Sequence, residues 1–471
     1  MPSDRSIPPI ANWWTLLKST ILDRPISRQV GWVVGPFAAM QFLRLISNIV
    51  LTHILAPQLF GLMLLVNSLR TGAELLSDIG IGQSVVRSRN GEDRTFLDVA
   101  WTIQVFRGLL LTAIMLALAW PISELYDKPE LFPILLVVSP IFILTGLQSP
   151  ALFTIQKRID LRKRAAYDLF GLVANIAMTV TLAMVLRSIW ALVFGLLFTT
   201  LFSTILSHFL SEKYMPRFRW QPDFVLEIVH FGKWIFLSTA IFFAASTFDR
   251  LYFVGSVPIA LAGVYAVART FSDMLSQLAQ RAGSFLVFPK VAAMQDRRDE
   301  IGDRLRSMRM LTLSLVACAA GVAVACSDKF ILLAYDPRYH AAAFMIPILL
   351  SSVWFGILSS FADSMLMGCG RPAPGAWANG GKFVALLIGL PLAVMHGDFL
   401  VAMLVLMLSE MVRWVMLIPP SRREKLTSFK DDMMLTGLMF GTAIIIKSAL
   451  GSFGIVPTIA QWWSMHGLLH T

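Results

Sequence analysis

Apolar runs of about 20 residues, each long enough to cross a bilayer as an α-helix, recur along this chain from Gly31 to Gly451. No other feature limits the fold as much. Inside hydrocarbon every backbone amide and carbonyl must be satisfied by the protein itself, and a run of this length does so as a helix. Composition agrees: 56% of the 471 residues are hydrophobic and 15% charged, against roughly a quarter charged in a soluble domain. The chain therefore reads as an all-α, multi-pass membrane protein.

Twelve core spans are expected at about 31–54, 58–84, 98–120, 131–155, 165–185, 189–210, 232–249, 259–287, 311–332, 341–368, 376–395 and 399–419. A thirteenth is expected near 433–450, and the segment 454–469, with Trp462 and Trp463, is short for a span and suits the interface. No cleavable signal peptide is read. Residues 1–30 instead mix Trp13, Trp14, Leu16, Leu17, Ile21 and Leu22 with Lys18, Arg24 and Arg28, the pattern of a surface-lying amphipathic helix.

Lysine and arginine divide by side. The N-terminal arm and the even-numbered loops hold 26; the odd-numbered loops hold four, Lys128, Arg187, Lys329 and Arg338. The asymmetry puts the N-terminus in the cytoplasm; the bacterial inner membrane as location is what the family resemblance given below implies. The net charge of +11 thus reports orientation, and no nucleic-acid partner is implied. All outer loops are short. A membrane polymerase or glycosyltransferase would need a sizeable outer loop bearing catalytic residues, and none is present.

The two halves repeat. RTGAELLSD (70–78) reappears as RTFSDMLSQ (269–277); Tyr126-Asp127 returns as Tyr335-Asp336, each followed by proline. Pro57 and Gly61 return as Pro258 and Gly263, and Ala166-Tyr167 with Gly171 return as Ala376-Trp377 with Gly381. Six spans separate the copies, so both halves enter the membrane from the same side. That makes a parallel repeat: two pseudo-symmetric six-helix bundles, twelve core helices plus one or two C-terminal segments. The expected divisions are an arm (1–30), an N-lobe (31–210), an amphipathic linker (211–231), a C-lobe (232–420) and a C-terminal helix and tail (421–471). In the linker, Trp220, Phe224, Val225 and Ile228 would lie on the inner leaflet.

Charges within spans must face protein or water, because lipid rejects them by about 2.5–3.5 kcal/mol each on insertion scales. Ten bases and seven acids fall within or at the edges of spans. Arg70, Glu74 and Asp78 follow i, i+4, i+8 spacing, a stripe on one helix face, and Arg269 and Asp273 repeat it. The second and eighth spans are therefore expected to line a polar, net cationic cleft. Arg44, which shares its helix with Gln41 and Asn48, joins them, as do Arg281 and Lys382. Such a cleft fits an anionic cargo, a phosphate or diphosphate, which arginine matches bidentately. The alternative is that each base is merely neutralised by a neighbouring acid. Glu74, Asp78, Asp168, Asp249, Asp273 and Asp363 are candidates for coupling H⁺ or Na⁺ to a conformational cycle. Arg107, Lys233 and Lys447, near predicted ends, are expected to snorkel. Arg250 is expected to pair with Asp249, and Arg413 with Glu410.

Soluble chemistry is missing from the pattern. There is no Walker A, HExxH, GxSxG or GxGxxG motif, and no histidine pairs at metal-ligand spacing. Cys318, Cys326 and Cys369 read as small buried residues without disulfide or metal spacing. No cofactor, no metal and no covalent catalysis are expected.

Three segments carry a resemblance: LAPQLFGLMLLVNSLRTGAELLSDIGIGQSVVR (55–87), VLEIVHFGKWIFLSTAIFFAASTFDRLYFVG (225–255) and AGVYAVARTFSDMLSQLAQRAGSFLVFPKVA (262–292). They resemble the polysaccharide and O-antigen lipid flippases of the multidrug/oligosaccharidyl-lipid/polysaccharide exporter superfamily, over roughly residues 25–420. The resemblance implies a two-lobed, alternating-access flippase. Its cargo would be a polyprenyl-diphosphate-linked oligosaccharide, an exopolysaccharide or O-antigen unit. Arg44, Arg70 and Arg269 occupy positions that in such proteins engage the lipid diphosphate or acidic sugars. Implied partners are the lipid-linked oligosaccharide, membrane lipids, H⁺ or Na⁺, and the polymerase and export proteins of polysaccharide assembly. Two other readings stay open here: a drug or metabolite antiporter of the same superfamily, and a non-transporting component of a polysaccharide assembly complex.

Overall fold

The computed structural model describes residues 24–158, 161–210, 215–282, 298–369, 371, 373–395, 399–424 and 426–452. The first repeat contains α1 (Arg24–Ile54), α2 (Pro57–Leu75), α3 (Ile81–Arg87), α4 (Arg94–Leu125), α5 (Leu131–Val138), α6 (Ile141–Gly146), α7 (Ala151–Lys157), α8 (Leu161–Leu186) and α9 (Ile189–Leu210). The second contains α10 (Pro222–Ser256), α11 (Ile259–Ala282), α12 (Arg298–Ala334), α13 (Ala342–Gly368), α14 (Ala373–Met395) and α15 (Phe399–Arg423), followed by α16 (Phe429–Ser452). Among the described residues there is no strand, and nine helices are long and apolar enough to cross a membrane.

Burial is arranged for lipid outside and protein inside. Phe106, Leu110, Trp120, Val185 and Phe209 are exposed on the bundle exterior, where a soluble protein would place charge. At the centre of the second bundle, α13 is 83% buried over its most apolar window. Trp354, Phe361, Leu358 and Met365 pack it against α12, α15 and α16.

Two expected spans are not single helices. The second is interrupted between Leu75 and Ile81, where Gly80 adopts φ 66° and donates its amide to Asp78 Oδ1 at 2.8 Å. Only glycine takes that left-handed conformation at no steric cost. Asp78 therefore leaves the expected stripe with Arg70 and Glu74 and instead caps the break. The carbonyl of Glu74, orphaned by the break, receives the Arg107 guanidinium at 2.5 Å. Arg107 thus turns inward, contrary to the snorkelling expectation. The fourth span is divided into α5, α6 and α7, with Pro140 and Pro150 at the N-caps of the latter two. A proline there has no amide hydrogen to continue the preceding helix.

The linker also departs from expectation. From Pro222 onwards it is already part of α10, and residues 215–221 form an irregular strap against α4. Buried Asp98 accepts the Arg217 amide at 3.0 Å, Thr102 accepts that of Arg219 at 2.9 Å, and Phe218 packs on Trp101 at 4.7 Å. Ile228 is fully buried with Val85 and Phe96. The apolar face of this segment is therefore spent on protein; Trp220 alone of the four named residues stays exposed.

The expected thirteenth helix is present as α16, held to α12 by two ion pairs, buried Arg309 with Asp432 and half-buried Lys447 with Asp328. Lys447 reaches Asp328 Oδ2 at 2.7 Å rather than the membrane surface. Buried pairs of this kind add little net stability but fix one packing, since losing one partner strands a charge. The arm before Arg24 and the segment 454–469 lie outside the described residues.

The repeats meet where α2 crosses α11. A Cβ on Gly61 would fall 2.3 Å from the Ile259 carbonyl oxygen, and one on Gly263 would fall 1.8 Å from that of Pro57. These are equivalent positions of the repeat, so each half offers its glycine to the other's backbone. The same end is tied by further cross-repeat bonds. Tyr335 donates to Asn48 Oδ1 and Tyr339 to the Leu55 carbonyl, both at 2.9 Å. Beside them, the Arg338 guanidinium and amide hold the Asp336 carboxyl below its ordinary range.

Candidate functional site

At the opposite end of α2 and α11 the halves diverge around polar space. One chamber, about 320 Å³, lies against α10, α11, α13, α14 and α15, with Thr71 and Leu75 of α2 as its far wall. Four bases face it: Arg250 from α10, Arg269 from α11, Lys382 from α14 and Arg413 from α15. Arg250 Nη2 donates to both oxygens of Asp273, at 3.0 and 2.7 Å. Arg269 Nε lies 3.4 Å from the same carboxylate and 3.8 Å from Asp249. Lys382 Nζ meets Glu410 at 2.5 Å, and Arg413 lies 3.8 Å from Glu410. Asp249, 2% exposed, sits behind the wall and accepts a hydrogen bond from Tyr265. Four bases against three acids leave the cluster net cationic.

A second chamber of about 540 Å³ lies between α1, α8, α9 and α11. Amides and hydroxyls dominate its walls, among them Gln41, Asn48, Asn175, Ser203 and Thr270, with Arg44, Arg164 and Asp168. Arg164 pairs with Asp168 at 3.3 Å. Gln277 lines both chambers, and Gln41 Nε2 donates to its Oε1 at 3.3 Å. Gln277 is thus common to both walls.

The structure thus gathers Arg269, Lys382 and Asp273 in the first chamber, with Asp249 behind them, and Arg44 and Asp168 in the second. Arg70 joins neither wall; it pairs with Glu74 one turn along α2 at 2.9 Å. Glu74 and Asp78 line a separate space of about 330 Å³ beside Arg107. Asp363 on α13 carries a buried Oδ1 with no hydrogen-bond partner among the described residues. The side chains of Arg281 and Lys233 lie outside them.

Sequence reasoning missed Arg250, Arg413 and Glu410 as chamber residues. The sequence suggests that Arg250 pairs with its neighbour Asp249, but adjacent helical residues point about 100° apart and do not face each other. That geometry was the available signal: with Asp249 turned towards Tyr265 and Arg269, Arg250 had to look elsewhere. Arg413 does meet Glu410 as expected, but the pair faces the chamber.

Residues 50–344, well over half of the chain, match the family described as polysaccharide biosynthesis protein. The chain belongs to that family. Among its relatives, the chain is 22% identical over 298 residues to the succinoglycan biosynthesis transport protein ExoT of Rhizobium meliloti (strain 1021), covering 63% of the chain and 60% of ExoT. The match therefore spans less than two thirds of that relative's length. It is 22% identical over 422 residues to the lipopolysaccharide biosynthesis protein WzxC of Escherichia coli (strain K12), covering 87% of the chain and 84% of WzxC. Its fold is shared with the lipid II flippase MurJ in an inward closed conformation, at a TM-score of 0.68 and 11% identity over 90% of this chain and 99% of MurJ. The chain is thus a multi-pass membrane protein that shares its fold with MurJ.

Proposed function

We propose that this protein flips an anionic, polyprenyl-diphosphate-linked oligosaccharide across the cytoplasmic membrane by alternating access. The observation that carries the reading is the net cationic chamber formed by Arg250, Arg269, Lys382 and Arg413 of the second repeat, with α2 of the first as its far wall. A drug antiporter for cations would want carboxylates to dominate such a space; here bases do. The names of ExoT, a transport protein, and WzxC, a lipopolysaccharide biosynthesis protein, agree with a polysaccharide cargo. Transport needs no covalent step, and the reading includes none.

In this reading the diphosphate rests on the basic cluster and the glycan extends past Gln277 into the amide- and hydroxyl-lined chamber. Side-chain amides and hydroxyls offer donor and acceptor together, which sugar hydroxyls require. With the N-terminus cytoplasmic, the tied end of α2 and α11 faces outward and the chambers face inward. Rocking of the bundles then exchanges the two, with H⁺ or Na⁺ as coupling ion. The experiment is export in cells. Arg250→Ala and Arg269→Ala should each cut surface polysaccharide at least about tenfold and accumulate the lipid-linked intermediate, while the protein remains in the membrane. Arg70→Ala, outside the chamber walls, should act more mildly. Normal export in both chamber variants would defeat the assignment.

A further inference from the structure

Each carboxylate in the basic chamber is held in the same way. Asp273 takes two short hydrogen bonds from Arg250, on another helix, and a longer contact of 3.4 Å from Arg269 on its own. Glu410 takes a 2.5 Å contact from Lys382, on another helix, and a longer one of 3.8 Å from Arg413 on its own. One chamber therefore contains two anions, each between two cations. We propose that Asp273 and Glu410 occupy, in the unloaded protein, the two seats that the two phosphates of a lipid-linked diphosphate take over. The proposal rests on the lipid-diphosphate reading given above.

Unmet donors point the same way. Nε of Arg250, Arg269 and Arg413 are buried and make no hydrogen bond among the described residues. Buried donors are rarely left so, because each forgoes its hydration without replacement. A carboxylate offers two oxygens in one plane. A phosphate offers more, spread tetrahedrally, and can meet a guanidinium along a second edge while keeping the first. The bases are thus better matched to the visitor than to the resident acids.

The acids also answer a problem that an empty flippase faces. Four uncompensated cations in a chamber at membrane depth would be costly to keep. Two resident carboxylates reduce that cost when the cargo is absent. They also weaken the loaded state, since the cargo must displace them, and so leave it able to depart after the lobes rock. Tight binding to one state alone would stall the cycle, because a ligand shifts an equilibrium only by its difference in affinity between states.

The test is calorimetric titration of the full-length protein in detergent with farnesyl diphosphate. Asp273→Asn and Glu410→Gln should each tighten binding about tenfold, as expected when a competing charge a few ångströms away is removed. Arg250→Gln combined with Asp273→Asn, which restores the charge balance, should return affinity to near wild type. Inorganic diphosphate should show the same ranking if the seats recognise phosphate itself; gains confined to the farnesyl compound would overturn the seat assignment. Unchanged or weaker binding in both single variants, at unchanged melting temperature, would overturn it too. If the wild type takes up no farnesyl diphosphate at all, the cargo reading itself falls, and this proposal with it. Should the neutral variants fail to fold, carboxylate labelling of the wild type by a water-soluble carbodiimide decides. Labelling of Asp273 and Glu410 should rise when farnesyl diphosphate saturates the protein, and constant or falling labelling would refute displacement.

Discussion

Asp363 lies within α13 with Oδ1 buried and no hydrogen-bond partner among the described residues, pressed so close to Gly375 that a Cβ there would fall 1.9 Å from that oxygen. Glu74, Asp168, Asp249 and Asp273 are each in an ion pair, and Asp78 caps a helix break. Of the six candidate coupling acids, Asp363 is the one with a buried carboxyl oxygen that has no hydrogen-bond partner among the described residues. Asp363→Asn should therefore abolish the response of transport in proteoliposomes to an imposed pH gradient while leaving downhill exchange; an undiminished response would remove it from the coupling path. At this scale the sequence is legible as far as the helix is local. Arg70 with Glu74 and Arg269 with Asp273 follow from i, i+4 spacing. Arg250 with Asp273, Lys382 with Glu410 and Lys447 with Asp328 join different helices, and no periodicity within one helix reports what packs against it.

Between elements, the crossing of α2 and α11 is set by two glycines that the repeat had already paired in sequence. A methyl group on Gly263 would meet the Pro57 carbonyl at 1.8 Å, a backbone atom that no side-chain rotation can clear. Gly263→Ala should therefore part the helices and destabilise the protein by about 1–3 kcal/mol, the usual cost of overpacking. A lowered melting temperature is the readout, with Gly437→Ala, which meets nothing within 4 Å, as the unaffected control. Equal melting of the two variants would show that the crossing tolerates a wider gap. The interruption of the second span was harder to read. Its hydropathy continues across 76–80, and what ends α2 is the combination of Gly80 at positive φ, Asp78 on its amide and Arg107 arriving from α4. Only the first two are local. The linker misled for a related reason: an amphipathic segment needs an apolar neighbour, and sequence does not say whether lipid or α4 supplies it.

For the molecule as a whole, the two ends of the interface are unlike. At one end backbone packs on backbone, and Tyr335, Arg338 and Tyr339 bond to the end of α1. At the other, Gln41 donates to Gln277 at 3.3 Å and Thr239 to the Leu75 carbonyl at 3.0 Å. In the proposed cycle the first end must part for the bundles to rock, and what joins it is hydrogen bonds, the glycine crossing and apolar packing such as Phe60 on Tyr339 rather than a buried ion pair. By contrast α16 is tied to α12 by two ion pairs, so in the proposed cycle it would move with the second bundle. Cross-linking tests this division. With Cys318, Cys326 and Cys369 replaced, cysteines at Asn48 and Tyr335 joined by a short cleavable bis-thiosulfonate reagent should stop transport, and reduction should restore it. The same reagent joining cysteines at Asp328 and Lys447, on α12 and α16, should leave transport at least half intact, because those helices travel together. Continued transport with the first pair joined would mean that the tied end does not open in the cycle, and cargo would have to leave by another route.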